Sequence, residues 1–587
     1  MPYSPEERIH PSDIDSRHRR QKMLMSKEEI NATKYFESDA GDGTLSTEQH
    51  MVGKQLILTL LSCFIASFIS ALDQTIVTTT YSAVGNKFND FDKIGWLNSA
   101  FLVPMCTFCP IYGKLSIAFG RKYTLLSGIV VFELGSLIGG LSSSMNMLIG
   151  GRVIQGLGAG CIQSLVSIIV SESVPISKRS SSIASIALSY SIASILGPFI
   201  GGAFTTKVSW RWCYYINLPV GALAVGLLIL GYHPPKPTFT DIPSRLKKID
   251  FICCFLLISG LVLLLVGITF GGGDYPWLDA RVLCPVVFGG ILFIVFLMHN
   301  FISSFEPIII RECITIPQLF CAATAGFCNF AMFLATVTYL VVYFQVILGH
   351  SAWQSGIDLL PLIVSVTLTA VANAILTKYT RHVKLFYMIG GAFGIIGNSL
   401  VSSKINASTP SSERIGFLIL VGISLGFSVQ CTLLSCQMKA PRSKPGSLIL
   451  VTTFVNFMRF LGGTLGVTIA TSIFQQVTLL QIQSGIEDII ERGVSDAELQ
   501  QLSEINGLQL LNSPDSIKGL PSDIEDLVFS SIMKGIRCAL YLGLGFSVAA
   551  FLFSLFATNK RVPKNADVMQ TSNHPHEAGS EPAPYSK

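Results

Sequence analysis

LIGGRVIQGLGAGCIQSLVSIIV, from Leu148 to Val170, is followed by the link SESVPISKRS and then by SIASIALSYSIASILGPFIGGAF, from Ser182 to Phe204. Each apolar run is long enough to cross about 30 Å of hydrocarbon at 1.5 Å per residue. The first carries an arginine, Arg152. A guanidinium at bilayer depth costs about 3 kcal/mol or more unless it faces protein or water. At 100° per residue Arg152, Gln155, Gly156, Ala159 and Gln163 share one helix face, so that face looks inward. The second run sets Ser185, Ser189, Ala193, Gly197 and Gly201 four apart, a row of small residues that lets another helix approach closely. Pro198 removes a backbone donor and frees the Ser194 carbonyl, which permits a bend. The pair reads as a packed, bendable wall beside a polar cavity.

The rest of the chain repeats this character. Of 587 residues 50% are hydrophobic and only 13% charged, and the mean hydropathy of +0.55 is that of a polytopic membrane protein. A net charge of +5 does not point to nucleic acid, because the Lys and Arg sit in short links between apolar runs, where they act as topology signals. Most of the 14 Cys fall within apolar runs and read as small core residues. Cys106 and Cys109 form the one close pair, without a second half to complete a metal site. No phosphate-binding Gly-x-x-x-x-Gly-Lys-Ser/Thr run occurs, so neither a nucleotide nor any other cofactor is expected. Gly422-Ile423-Ser424-Leu425-Gly426 matches a hydrolase elbow in letters only, since it lies inside an apolar run, and no enzyme activity is expected.

Hydropathy predicts fourteen spans in an all-α fold: roughly 55–79, 94–112, 123–141, 147–171, 181–204, 213–231, 250–270, 282–302, 318–346, 354–377, 384–402, 415–437, 447–475 and 536–557. An even number puts both termini on one side. Lys and Arg of the links on that side, among them Lys114, Arg121, Lys122, Lys178, Arg179, Lys247, Lys248, Lys378, Arg381 and Lys444, outnumber those of the opposite links, so both termini are expected in the cytoplasm. The sequon at Asn406 then falls outside, where glycosylation can reach it. Residues 1–52 read as a cytoplasmic tail, 476–535 as an outer loop with a capping box at Ser495 to Glu498, and 559–587 as a second tail.

GKLSIAFGRK, from Gly113 to Lys122, resembles the loop motif of the major facilitator superfamily. Arg152 on the fourth span, ALDQTIV around Asp73 and the Gly197-Pro198-Phe199-Ile200-Gly201-Gly202 run resemble motifs of its fourteen-span drug:proton antiporters. SWRWCYYINLPVG from Ser209 and TFGGGDYPW from Thr269 resemble its fungal members, exporters of dyes and azoles and vacuolar transporters of basic amino acids. The resemblance implies two six-helix halves, 53–231 and 318–558, joined by 232–317 with two inserted helices. It also implies protons and a small-molecule substrate as partners, a monomer, and residence in the plasma or vacuolar membrane. The family loop ordinarily carries an acidic and a basic residue where this chain has Ile117 and Ala118, which leaves Arg121 and Lys122 without their usual ion pair. They are expected to bind helix C-terminal ends or a distant carboxylate, and Gly113 belongs with them as a gating residue.

The candidate proton and substrate groups follow from polar residues at span depth. Asp73 shares a polar stripe with Ser62, Ala66, Ser70 and Thr80, and reads as a cavity carboxylate or as a helix-end aspartate bonded to its neighbours. Glu133 reads as a proton carrier or as a neutral structural acid. The resemblance gives Arg152 a role in proton coupling, against an interhelical salt bridge. In the thirteenth span Thr452, Asn456, Arg459, Gly463 and Gly466 form a similar face, with Arg459 available to an anion, a partner acid or a packing contact. Export of toxic organic compounds is the leading reading. Vacuolar transport of basic amino acids is the alternative, and a non-transporting membrane sensor a third.

Overall fold

The computed structural model describes residues 40–41, 44, 48–90, 93–235, 249–271, 275–303, 305–441, 444–491 and 522–562. With no water in the hydrocarbon to satisfy backbone groups, apolar segments of this length must close their hydrogen bonds internally as helices. Among the described residues fourteen helices are long and apolar enough to span. The first six are α1 (Gly53–Thr80), α2 (Trp96–Phe119), α3 (Arg121–Leu141), α4 (Met145–Glu172), α5 (Ile176–Lys207) and α6 (Trp212–Gly231). Two more, α7 (Phe251–Phe270) and α8 (Ala280–Ile302), lead into α9 (Pro317–Ile347), α10 (Trp353–Thr380), α11 (Val383–Lys404), α12 (Ser411–Gln437), α13 (Ser447–Ile486) and α14 (Glu525–Ser554). Each overlaps one hydropathy run, so this is an all-α integral membrane protein.

Helices α1 to α6 pack chiefly on one another, as do α9 to α14, while α7 and α8 pair together and α7 also leans on α2 and α13. The two bundles meet where α2 packs on α13 and α5 on α10. Lipid tails are as apolar as leucine, so close approach of backbones has to drive this packing. The seam of α3 and α4 is built from Gly128, Gly135, Gly139, Gly151 and Gly158. A Cβ at Gly158 would land on the Phe132 backbone, and one at Gly135 on the Gln155 backbone nitrogen. The expected small-residue row of α5 serves the same end against α1: Ser189 Oγ donates to the Phe64 carbonyl at 2.9 Å, and Gly197 and Gly201 sit against Thr75 and Thr79. Despite Pro198, α5 is one continuous helix.

The chain turns sharply at Gly120, whose φ of +88° joins α2 to α3 and suits glycine. The α10–α11 turn places Arg381 at φ +63° instead. Asp250 caps α7, its Oδ1 accepting from the Cys253 amide at 2.9 Å. Burial alone would push its carboxyl up, but that amide together with Ser303 and His299 holds it below its ordinary value.

The segment after the thirteenth run departs from expectation. The helix beginning at Ser447 continues to Glu491, and the last begins at Ser522, so much of 476–535 is helix and not loop. Its apolar periodicity does not stop at the bilayer edge: Ile482 is buried, Gly485 lies against Leu527, and Lys534 Nζ donates to Gln481 Oε1 at 2.7 Å, which keeps α13 and α14 paired. The capping box at Ser495 lies outside the described residues.

Gly158→Val should cost about 1–3 kcal/mol or more by overpacking the α3–α4 seam. In detergent its melting temperature should fall by several degrees, while Gly150→Val, where a Cβ meets nothing within 4 Å, should melt with the parent protein.

Candidate functional site

Two polar sites lie at bilayer depth. The first is inside the α1–α6 bundle, toward the face opposite the chain ends. Asp73 of α1 and Arg152 of α4 are both buried and joined as an ion pair through Asp73 Oδ2 and Arg152 Nη1. Arg152 Nε donates to the Leu97 carbonyl at 3.0 Å, Nη1 also to Gln155 Oε1 at 2.8 Å, and the guanidinium carbon lies 4.3 Å from the Phe101 ring centre. Asp73 Oδ1 accepts from Gln155 Nε2 at 2.9 Å and from Asn217 Nδ2 at 3.2 Å, and both amides reach Ser136 Oγ. Four helices thus spend polar side chains, and α2 a backbone carbonyl, on one charge pair and its amides. Glu133 of α3 stands apart, with neither carboxylate oxygen hydrogen-bonded among the described residues and Gly221 of α6 packed against it.

The second site is a cavity between the bundles. Its walls are Gln163 and Ser167 of α4, Ile183 to Ser194 of α5, Phe330 and Phe333 of α9, Leu362 to Val366 of α10, Leu425 to Leu433 of α12, and Asn456, Arg459 and Phe460 of α13. Apolar side chains dominate, and Arg459 is the one charged residue among those lining it.

Contacts between the bundles lie at both ends of this cavity. Toward the face opposite the chain ends, the rings of Phe199 and Trp353 meet edge-on at 4.2 Å, and Pro198 packs on Gly356. Toward the other face Gln437 Nε2 donates to Ser171 Oγ at 2.9 Å, Ser180 Oγ to Gln430 Oε1 at 3.3 Å, and Gly113 packs under Thr453, where a Cβ would come 2.7 Å from its methyl group.

This geometry corrects one expectation. Asp73, Glu133, Arg152 and Gln155 do not line the cavity; Gln163, Asn456 and Arg459 do. Asp73 finds its cation and its amides on α4 and α6 of its own bundle, so its polar stripe points into that bundle. Asn217, its remaining partner, and Ser136, which accepts from Gln155 and Asn217, were not singled out in the sequence, although Asn217 sits among the residues resembling the fungal members. Tyr190 was missed in the same way, its single hydroxyl giving no periodic signal.

The loop residues are placed as follows. Arg121 Nε reaches Glu172 Oε2 at 3.1 Å, with both side chains buried, and Nη2 donates to the Ala40 carbonyl. Lys122 Nζ donates to the Ile229 carbonyl at 3.0 Å, at the C-terminal end of α6. The carboxylate missing from the loop is therefore supplied by the end of α4, and Glu172 is the one acid in the link SESVPISKRS. Gly202 has open space around it, unlike Gly197 and Gly201. Asn406 lies in the α11–α12 turn, its Oδ1 accepting from the Ser408 amide at 3.0 Å. Among the described residues no group of three or more His, Cys, Asp or Glu is placed to hold a metal.

Residues 63–467 match the family model described as Major Facilitator Superfamily. The chain belongs to the major facilitator superfamily. Among curated relatives, it is 33% identical over 573 residues to vacuolar basic amino acid transporter 5 of Saccharomyces cerevisiae, covering 90% of this chain and 96% of that one. It is 30% identical to azole resistance protein 1 of the same yeast, covering 88% and 90%. Among solved structures, the human organic anion transporter MFSD10 superposes with a TM-score of 0.54 over 86% of this chain and all of that one, at 14% identity, a likeness of fold alone. This superfamily chain is a transporter.

Breaking a buried ion pair by removing one partner costs about 3–5 kcal/mol. Asp73→Asn and Arg152→Gln should each lower thermal stability in detergent by an amount near the lower figure. The double variant should recover part of it, with a coupling of about 1–3 kcal/mol in the cycle; strict additivity would mean that the two groups do not hold each other in the folded protein.

Proposed function

We propose that this chain is a proton-coupled antiporter that exports small, largely apolar organic compounds by alternating access. The observation that carries the reading is the cavity between the two bundles, apolar on most of its walls and flanked toward each face by contacts between them. Rocking of halves 53–231 and 318–558 about it, with the inserted pair α7 and α8 as their connection, would open one closure while keeping the other. The protein acts as a monomer, because the cavity is complete within one chain, and its Lys- and Arg-rich links put both termini in the cytoplasm.

The Asp73–Arg152 pair is the coupling element in this proposal. Protonating Asp73 removes its attraction for Arg152, and four helices that converge on that charge, including the α4 that also walls the cavity, must then repack. Glu133, whose oxygens have no hydrogen-bond partner among the described residues, is the second proton carrier.

A second reading, transport of basic amino acids into the vacuole, is favoured by the similarity to vacuolar basic amino acid transporter 5. Against it, no carboxylate lines the cavity to meet a basic side chain. The plasma membrane is therefore the proposed location for the exporter, and a fluorescent fusion viewed beside a vacuolar marker separates the two.

In proteoliposomes with an imposed pH gradient, the parent protein should drive uphill movement of a lipophilic dye. Asp73→Asn, compared at equal amounts of inserted protein, should lose at least nine-tenths of that rate while still exchanging substrate downhill. Unchanged pH-driven transport by this variant would remove Asp73 from the coupling.

A further inference from the structure

The cavity walls hold several polar groups able to donate hydrogen bonds. Asn456 Nδ2 and Gln163 Nε2 are buried in its walls without a hydrogen-bond partner among the described residues, the two residues being 1% and 3% exposed, and the Tyr190 hydroxyl borders the same space within reach of Gln74. Arg459 of α13 has its guanidinium carbon 5.1 Å from the Phe330 ring centre and lies within electrostatic reach of Tyr190, Tyr387 and Cys109, while no ion pair or hydrogen bond links it to another described residue. Buried polar groups in native proteins are almost always paired, and a guanidinium most of all. Here two amide nitrogens, a hydroxyl and a cation border the same space, all able to donate. Around them the walls are Phe, Leu, Ile and Val, and no acid is present to receive a cation.

We infer that the molecule carried in this cavity is an amphipathic organic anion: a flat apolar body with one carboxylate-like or sulfonate-like group, bound through Arg459 and the donors of Asn456, Gln163 and Tyr190. The inference rests on the reading of the cavity as the transport site and narrows its substrate class. The anionic group takes the hydrogen bonds that the walls leave unspent, and the body lies against Phe330 and the leucines of α10 and α12. A lipophilic cation would have to bring its charge beside Arg459 with no carboxylate to offset the repulsion.

A matched pair of permanently charged probes tests this: naphthalene-1-sulfonate and trimethyl(1-naphthyl)ammonium, each titrated against the full chain in lipid nanodiscs. The sulfonate should bind at least tenfold more tightly. Arg459→Gln should weaken sulfonate binding tenfold or more, without weakening the ammonium probe. Arg459→Lys, which keeps the charge should the Gln variant fold poorly, should lose less than Arg459→Gln, and Asn456→Ala and Tyr190→Phe should each lose severalfold. Preference for the ammonium probe, or unchanged sulfonate affinity in folded Arg459→Gln, overturns the inference. Ala187→Trp, which fills the cavity, separates the two levels: if it leaves sulfonate binding intact the cavity is not the site and the underlying reading fails as well. If it abolishes binding while Arg459→Gln does not alter it, the anionic class alone fails.

Discussion

A guanidinium at bilayer depth must be answered by the protein, and this chain answers its two central arginines in opposite ways. Arg152 receives a carboxylate, an amide oxygen, a backbone carbonyl and an aromatic face, drawn from α1, α2 and its own helix. Its Nε and Nη1 donors are spent inside the bundle. Arg459 receives the face of Phe330 and borders a cavity. Both lie on faces that mix polar and small residues, and both helices pack closely through glycines: Gly151, Gly156 and Gly158 in α4, Gly462, Gly463 and Gly466 in α13. The same sequence pattern therefore yields a structural charge in one bundle and an unspent one beside the other. What differs is whether a neighbouring helix offers a carboxylate, and α9 carries neither Asp nor Glu.

The face carrying the chain ends shows a related division. In the α2–α3 turn Arg121 is anchored to Glu172 and also holds the Ala40 carbonyl of the segment preceding α1. In the α10–α11 turn Arg381 donates through Nε to the Val562 carbonyl of the segment following α14, while the Val562 amide returns a bond of 3.0 Å to the Arg381 carbonyl. Corresponding turns of the two bundles thus each hold, with an arginine, the described segment beside the first or the last spanning helix. Gly41 lies against Gly446 and Ile117 at once, so the first of these segments touches both bundles where they meet.

Hydropathy made the fourteen helices legible because the hydrocarbon imposes one length and one composition on every span. It misjudged the region after Phe474, where α13 and α14 continue as a pair beyond the membrane's thickness and are held by side-chain contacts such as Gly485 with Leu527, which a hydropathy window cannot register. Helical periodicity placed Gln163, Asn456 and Arg459 on inward faces, and these line the cavity. The same argument for Asp73 was correct about direction and silent about destination, since "away from lipid" describes a bundle core as well as a passage. Partners contributed singly, such as Ser136, Asn217, Glu172 and Tyr190, carry no periodic signal. Only the packing of helices distant in sequence brings them to the charges they serve.

The closures at the two ends of the cavity differ in chemistry. Toward the chain ends the bundles are joined by amide-to-hydroxyl hydrogen bonds, Gln437 to Ser171 and Ser180 to Gln430, and by a glycine under a threonine, contacts that need close backbone approach. Toward the opposite face the closure is an aromatic edge and a proline against a glycine, and it lies on the same helix that carries Gly197 and Gly201 against α1. Hydrogen bonds broken on that first side can be remade with water once the face opens, whereas the aromatic contact gives up burial that water does not replace. The energies of the two openings therefore have different origins. A hydroxyl or amide replaced on the one side, and a ring truncated on the other, bias the bundles in opposite directions while leaving the Asp73–Arg152 pair intact inside its own bundle.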